Sequence, residues 1–307
     1  MSAPGKLFIK MLEQIPYVKG LVSRIANFEK YISFEPGHYY SPLVEPADYI
    51  EQQKKFNASE DYLPVEIDFN EKEQLETLHS FNEYYAEFPY HKNEKEFRFI
   101  LDNVFFTYAD AFGLYAMIRK LSPKKIIEIG SGFSSALILD TNEIFFNKSI
   151  ELTFIDPNPE RLKTNIRQGE KINIVKKKIQ EVDVKLFQSL QAGDFLLIDT
   201  SHVSKSGSEV NHIYFNILPY LEKGVNIHIH DIFFPFEYPA QWIVKENRSW
   251  NEIFLLRAFL AYNNHFKITY FNSFMEKKYI KYYKDHFPLA LERNTTVCGG
   301  IWIEKKQ

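Results

Sequence analysis

Two short runs contain residue types that can do chemistry: Asp199 and His202 in DFLLIDTSH, and His230 and Asp231 in VNIHIHD. Each pair follows an apolar stretch that reads as a strand, so both fall at strand ends. Imidazoles there can take a proton from an acceptor hydroxyl, because a histidine titrates near neutral pH. Alternatively the carboxylates of Asp199 and Asp231 can hold Mg2+ or another divalent cation through oxygen, and the ion can activate the same hydroxyl. In a strand His228 and His230 share one face while Asp231 turns to the other, so the three cannot enter one cavity without a bend. His228 then reads as a core histidine and His230, nearer the mouth, as the chemical one. The H-x-H-D run also invites comparison with zinc hydrolases, but Ile232 and Phe233 stand where a further spaced acid and histidine would follow.

A second constellation lies upstream. Residues 124–139 read KKIIEIGSGFSSALIL: an apolar strand ending in an acid, a glycine turn, and a helix start near Ser134. Gly130 and Gly132 remove side chains where the backbone turns and approaches a ligand, and the helix presents unpaired N–H groups there. In the next apolar run, ELTFIDPNPERL, Asp156 falls at a strand end, where a carboxylate can accept hydrogen bonds from both hydroxyls of a ribose. Glu128, Gly130, Gly132 and Asp156 together predict a pocket for a nucleoside-bearing cofactor.

The elements that must position these residues are legible as a period. From Phe105 onward the pattern alternates strand and helix, which predicts a Rossmann-like, doubly wound, mostly parallel sheet with helices on both faces. Strands are expected over 125–129, 152–155, 172–175, 195–198 and 225–229. Two β-rich runs close the chain, 266–272 and 296–304, with no helix clearly required between them, and predict an antiparallel pair at the sheet edge. Residues 1–104 show no such alternation and are expected to form a helical and loop cap, leaving 105–307 as the catalytic domain. Within the cap, Pro42 and Pro46 stiffen the loop GHYYSPLVEP, which either closes over the cofactor or ties the cap to the body. After the fifth strand, IFFPFEYPAQW places Phe233, Phe234, Phe236, Tyr238 and Trp242 either as an acceptor wall or as buried filler.

Composition narrows the classes. The 307 residues are 45% hydrophobic and 25% charged with a formal net charge of −3, so nothing calls for nucleic acid, and Lys176 to Lys178 read as a solvated strand end. The single cysteine, Cys298, excludes an internal disulfide and fits a reducing, cytoplasmic setting. No apolar run approaches the roughly 20 residues of a membrane span, and charges interrupt the N-terminus where a signal peptide would need its apolar stretch. Leu7, Phe8, Met11, Leu12 and Ile15 recur at helical spacing and suit packing within the domain, a partner, or peripheral contact with a membrane surface.

The runs EIGSGFSS, IDPNPERL, DFLLIDTSH and LEKGVNIHIHD resemble class I S-adenosylmethionine-dependent methyltransferases over roughly residues 105–305. DTSH and HD more narrowly resemble methyltransferase-domain family twenty-four, many of whose members are attributed to small-molecule, sugar or polysaccharide modification. The resemblance implies a sheet with a reversed final strand and S-adenosylmethionine as cofactor. Glu128, Gly130, Gly132 and Ser134 would then surround the cofactor's amino-acid and ribose part, Asp156 would hold the ribose hydroxyls, and Gln180 would lie near the adenine edge. Many relatives carry an acid at that last position, and the third glycine of the first motif is replaced here by Ser134 and Ser135. The implied reaction is methylation, with an oxygen of a small hydroxylated acceptor such as a sugar or glycoconjugate as the expected nucleophile, and Asp199, His202 and His230 as the catalytic set. A nicotinamide-dependent oxidoreductase uses a similar glycine turn and stands as the alternative, as does a non-catalytic scaffold on the same fold.

Overall fold

The computed structural model describes residues 15–56, 63–91, 96–103, 105–106, 108–170, 172–292 and 298–307. Most of the amphipathic segment at the N-terminus, Leu7 to Leu12, lies outside them; Ile15 is exposed. The chain divides into two compact units, Met1–Glu60 with Ala240–Ser249, and Asp61–Pro239 with Trp250–Gln307. The first unit holds the helices Pro16–Glu29, Pro46–Phe56 and Ala240–Val244. The Val44 amide there donates to Ser249 Oγ at 3.1 Å. The division cuts through the stretch expected to act as one cap. The helix Glu71–Ser80 belongs to the second unit because Leu78 and Gln74 are fully buried and the Phe271 amide donates to Gln74 Oε1 at 2.7 Å.

The second unit is built on seven strands: β1 Lys125–Ile129, β2 Glu151–Ile155, β3 Ile172–Val175, β4 Phe195–Ile198, β5 Asn226–His230, β6 Phe266–Phe271 and β7 Gly300–Lys305. Their order across the sheet is β3-β2-β1-β4-β5-β7-β6. β1 pairs in parallel with β2 and β4, β2 with β3, and β4 with β5, whereas β7 runs antiparallel to both its neighbours. All four residues of β4 and all five of β5 are buried, as a sheet covered by helices on both faces requires. The fold class is therefore the one expected, and the antiparallel pair closes the sheet edge, with β7 between β5 and the outermost β6. One correction falls at the tail. Between β6 and β7 the chain forms the helices Asn272–Lys278 and Ile280–His286, whose Phe274, Met275 and Tyr283 are buried. A return crossing from β6 to the antiparallel β7 needs only a turn in principle, so the strand pattern alone carried no signal for these helices.

The strand order places the chain reversal between β1 and β4. In an open sheet of this kind ligands bind outside the carboxyl ends of the strands at that reversal. The tips of β1, β2, β4 and β5 are thus the positions to inspect.

Candidate active site

At the β1 tip Gly130 adopts φ +85°, and a Cβ there would stand 2.1 Å from the Asp199 carbonyl oxygen. Glycine is required by both conformation and contact, and it lets the β1 and β4 ends close on one another. Two residues on, Gly132 has open space where its side chain would be, with Arg161 Nη1 the nearest atom at 4.0 Å. Asp156 leaves β2 and accepts bonds from the Ser131 amide at 3.1 Å and the Ser131 hydroxyl at 2.6 Å, with its other oxygen taking the Asn158 amide at 2.7 Å. It borders a cleft of about 420 Å³ whose lining includes Gly130, Gln180, Asp199, Thr200, Lys205 and Glu209. Gln180 donates to the Gly207 carbonyl at 3.0 Å on the cleft's far wall.

Glu128 sits behind this cleft. It is 1% exposed, and both its oxygens accept hydroxyl hydrogens, from Ser134 and Ser135 at the helix start. Burial drives its carboxyl up to about 8, against the two serine hydrogen bonds and with some help from Asp199 and Asp156, so it is largely protonated at neutral pH. Glu128 shares a small cavity with Phe106, Ser134, Asp199, His228 and His230, and Asp199 lines both spaces. The Glu128 carboxyl and the Ser134 and Ser135 hydroxyls form an internal lock that fixes the start of the helix Phe133–Phe146. A larger cavity of about 620 Å³, bordered by Phe266 and Lys306, opens at the other end of β6 and β7, away from these strand tips.

The β4 and β5 tips converge on one imidazole. His202 Nε2 lies 3.5 Å from Asp199 Oδ1 and 3.4 Å from Asp231 Oδ2, and its Nδ1 lies 2.9 Å from Glu252 Oε2. His202 and Asp231 both have left-handed backbones, φ +59° and +56°. Asp231 thereby supplies the bend that a regular strand forbids, bringing its carboxylate to the same side as His230, 3.6 Å from that ring's Nε2. The Asp231 turn is pinned by its amide, which donates to the Gly299 carbonyl at 3.0 Å. His202 is pinned by its carbonyl, which accepts the amides of Asn251 and Glu252 at 3.0 and 3.1 Å.

Charge follows from these contacts. Burial alone would lower the His202 imidazole, but hydrogen bonding to Asp199 and Glu252 and the charge of Asp231 outweigh it and raise it to about 10. His202 is therefore an imidazolium at neutral pH, packed on Trp250 at 4.5 Å between ring centroids. A histidine that already carries its proton cannot serve as the base expected from sequence. Desolvation pushes Asp199 up, yet His202 and His230 hold it below its ordinary value; 46% of its side chain is exposed. Asp231, 17% exposed, is raised by burial and by the nearby Asp199 and Asp110 against the pull of both histidines. His230 is buried against Phe106, and although burial lowers it, Asp231, Asp199 and Asp110 raise it above its usual value. His228 is a core residue, lowered to about 3 by burial and by His230, and wedged between Trp302 and the bare Gly300.

Asp199 and Asp231, expected to hold a divalent cation, close instead on the charged nitrogen of His202. Among the described residues no group of three or more His, Cys, Asp and Glu is arranged to hold a metal ion. The imidazolium occupies the position a cation would take between the two carboxylates, so this donor set does not fit the metal as arranged.

The sequence pattern of a family described as "Methyltransferase domain" matches residues 127–232, the span from β1 through the β5 tip. A curated relative, an uncharacterized protein of Archaeoglobus fulgidus, is 33% identical over 163 residues, 52% of this chain and 74% of its own length. The chain belongs to this methyltransferase-domain family. As a member it is an S-adenosylmethionine-dependent methyltransferase. Among solved structures, the plantazolicin methyltransferase BpumL in complex with a triazolic desmethylPZN analog and SAH is similar at 14% identity and a TM-score of 0.43, over 77% of this chain and 98% of that one. The SAH-bound Podospora anserina methyltransferase PaMTH1 is similar at 13% identity and a TM-score of 0.40, over 90% and 100% of the two chains.

For a methyltransferase the cleft has the right attributes: a volume within the roughly 300–1,000 Å³ of small-molecule sites, an acid at the β2 tip, and an unobstructed glycine turn. Three features of the candidate site escaped sequence reading. Glu252 lies 50 residues beyond His202 in a stretch with no motif, Trp250 precedes it, and Ser131 caps Asp156. Only Ser131, inside the glycine turn, carried a signal that could have been used. The aromatic loop after β5 is largely core: Phe233, Phe236 and Tyr238 are at most 4% exposed, because Phe236 packs on Phe271 and Tyr238 on Trp250. Among the described residues, no helix is long and apolar enough to cross a membrane.

Proposed function

We propose that this methyltransferase transfers the methyl group to a hydroxyl of a small, polyhydroxylated acceptor such as a sugar or glycoconjugate. The observation that carries the reading is Asp199, whose carboxylate borders both the Asp156 cleft and the Asp231–His202–His230 cluster. The methyl donor supplies an activated methyl carbon on a sulfonium. The protein's remaining work is to hold donor and acceptor in line and to receive one proton.

In this reading Asp156, through the oxygens that now face Ser131 and Asn158, holds the ribose hydroxyls, and Gln180 meets the adenine edge. The acceptor hydroxyl donates its hydrogen to Asp199, the ionised, half-exposed carboxylate at the cleft, which takes the proton as the oxygen bonds to the methyl carbon and the carbon–sulfur bond of the donor breaks. Asp231, whose carboxyl is raised by burial, holds the His202 ring from the other side. His202 holds the Asp199 carboxyl below its ordinary value and keeps the two carboxylates close, and His230 lies against Asp231. Thr200, Ser201, Lys205 and Glu209 make the remaining rim polar, which favours an acceptor with several hydroxyls over an apolar one.

Isothermal titration with S-adenosylhomocysteine tests the cofactor half: the parent binds and Asp156→Ala loses most of the affinity. Identical binding by both would remove Asp156 from the site. The acceptor half is tested by incubating a panel of hydroxylated sugars and glycosides with S-adenosylmethionine and looking for methylated product by mass spectrometry. Methylation confined to amines or thiols in a matched panel would overturn the oxygen assignment.

A further inference from the structure

Arg161 stands apart from the other arginines near the sheet. Arg98 is buried in ion pairs with Asp140, Glu143 and Glu170, and Arg167 pairs with Glu143. Arg161, exposed at the start of the helix Glu160–Asn165, has no carboxylate partner and no side-chain hydrogen bond among the described residues. Its guanidinium is held instead over two rings, 5.7 Å from the centroid of Phe105 and 5.4 Å from that of Phe133. Those rings stack at 5.8 Å, and Phe105 remains 65% exposed, a large apolar side chain left in solvent beside the cation. Flat rings restrict the guanidinium without consuming its N–H donors.

The position of this cation is tied to the glycine turn. Asp156 bonds Ser131, and Arg161 Nη1 is the nearest atom to the open side of Gly132, so the acid and the guanidinium, five residues apart in the chain, address successive residues of one turn. The methyl donor has matching ends: a ribose that needs an acceptor of hydrogen bonds and an amino-acid tail that ends in a carboxylate. We infer that Arg161, steadied by Phe105 and Phe133, holds the α-carboxylate of the methyl donor over the Gly132 turn. This rests on the reading of the Asp156 cleft as the donor site. A guanidinium suits the role because its planar fork offers paired N–H donors to a carboxylate.

The test compares two ligands by isothermal titration on the full chain: S-adenosylhomocysteine, and 5′-methylthioadenosine, which has the adenosine and thioether but no amino-acid tail. Arg161→Met is expected to weaken S-adenosylhomocysteine by about tenfold, an ordinary loss for one charge-assisted contact near solvent, and to leave 5′-methylthioadenosine within about twofold. Arg161→Lys should fall between, and rising salt should weaken S-adenosylhomocysteine binding in the parent more than in Arg161→Met. Arg161 is exposed, so an unchanged thermal midpoint will show that the variants fold. Equal losses for both ligands, or no loss for S-adenosylhomocysteine, would overturn the assignment of Arg161 while leaving the cleft reading intact. A parent that binds neither ligand would overturn the cleft reading and this inference with it.

Discussion

His202 Nδ1 and Glu252 Oε2 lie 2.9 Å apart, although 50 residues separate them in the chain and Glu252 is completely buried. Glu252 is also reached by the Thr200 hydroxyl at 3.0 Å, so the β4 loop and the start of the helix Glu252–Leu260 share one carboxylate. His202 is thereby charged on one side by Glu252 and on the other by Asp199 and Asp231.

Removing the ring strands a buried charge. His202→Ala is expected to destabilise the protein by about 3–5 kcal/mol, because the Glu252 carboxylate keeps its desolvation and loses its charged partner. Adding Glu252→Gln should recover part of that loss, since the two residues form one interacting unit. Urea denaturation midpoints of the single and double variants will decide; equal midpoints would mean the pair is not coupled.

The same pair sets a pH dependence. The His202 folded value, about 10, lies above the ordinary histidine value of about 6.5, so folding favours the proton. Its contribution to stability is complete below about 6.5 and declines as pH rises towards 10. The thermal midpoint should fall across that window in the parent, and fall less steeply in the His202→Ala, Glu252→Gln double variant.

Glu128 makes a separate contribution of the same sign. Its carboxyl, raised to about 8 by burial, binds its proton more tightly when folded, so this stabilisation is present in acid and lost as pH climbs from the ordinary carboxyl value of 4.5 through 8. Glu128→Gln keeps the shape without the ionisation. Above pH 8 the variant should melt higher than the parent, and below pH 4.5 the two should melt alike. A parent that melts higher than Glu128→Gln at pH 9 would contradict the buried, neutral carboxyl.

The two glycines of the turn should respond differently to a methyl group. Gly130→Ala meets the Asp199 carbonyl at 2.1 Å in a left-handed backbone and should cost about 3 kcal/mol or more. Gly132→Ala meets no atom closer than 4.0 Å, so stability should change by less than about 1 kcal/mol while S-adenosylhomocysteine affinity drops. Denaturation and titration of both variants separate a packing glycine from a ligand-facing one.

Divalent cations should leave the protein unaltered. A ligand that binds only the native state raises its stability, and His202 Nε2 already stands between Asp199 and Asp231. Millimolar Mg2+ or Mn2+ is therefore expected to leave the thermal midpoint unmoved, and a clear upward shift would show that the imidazolium yields to a cation.

By itself the sequence determined the parallel sheet, the strand-end location of Asp156, Asp199, His202, His230 and Asp231, and the glycine turn, because alternating period and turn chemistry are local properties. The tertiary structure decided what those residues can do. Glu128 became a neutral lock because Ser134 and Ser135 curl back over it, which no spacing rule announces. His202 changed from a candidate base to a fixed cation because Glu252 and Trp250 arrive from a distant helix start, and burial among three carboxylates governs its proton. Asp231 joined the histidines only through a left-handed residue at the strand end, and within the edge pair it is β6, not the last strand, that lies outermost. Pairing, burial and charge balance depend on which distant segments meet, and that information resides in the folded arrangement of the chain.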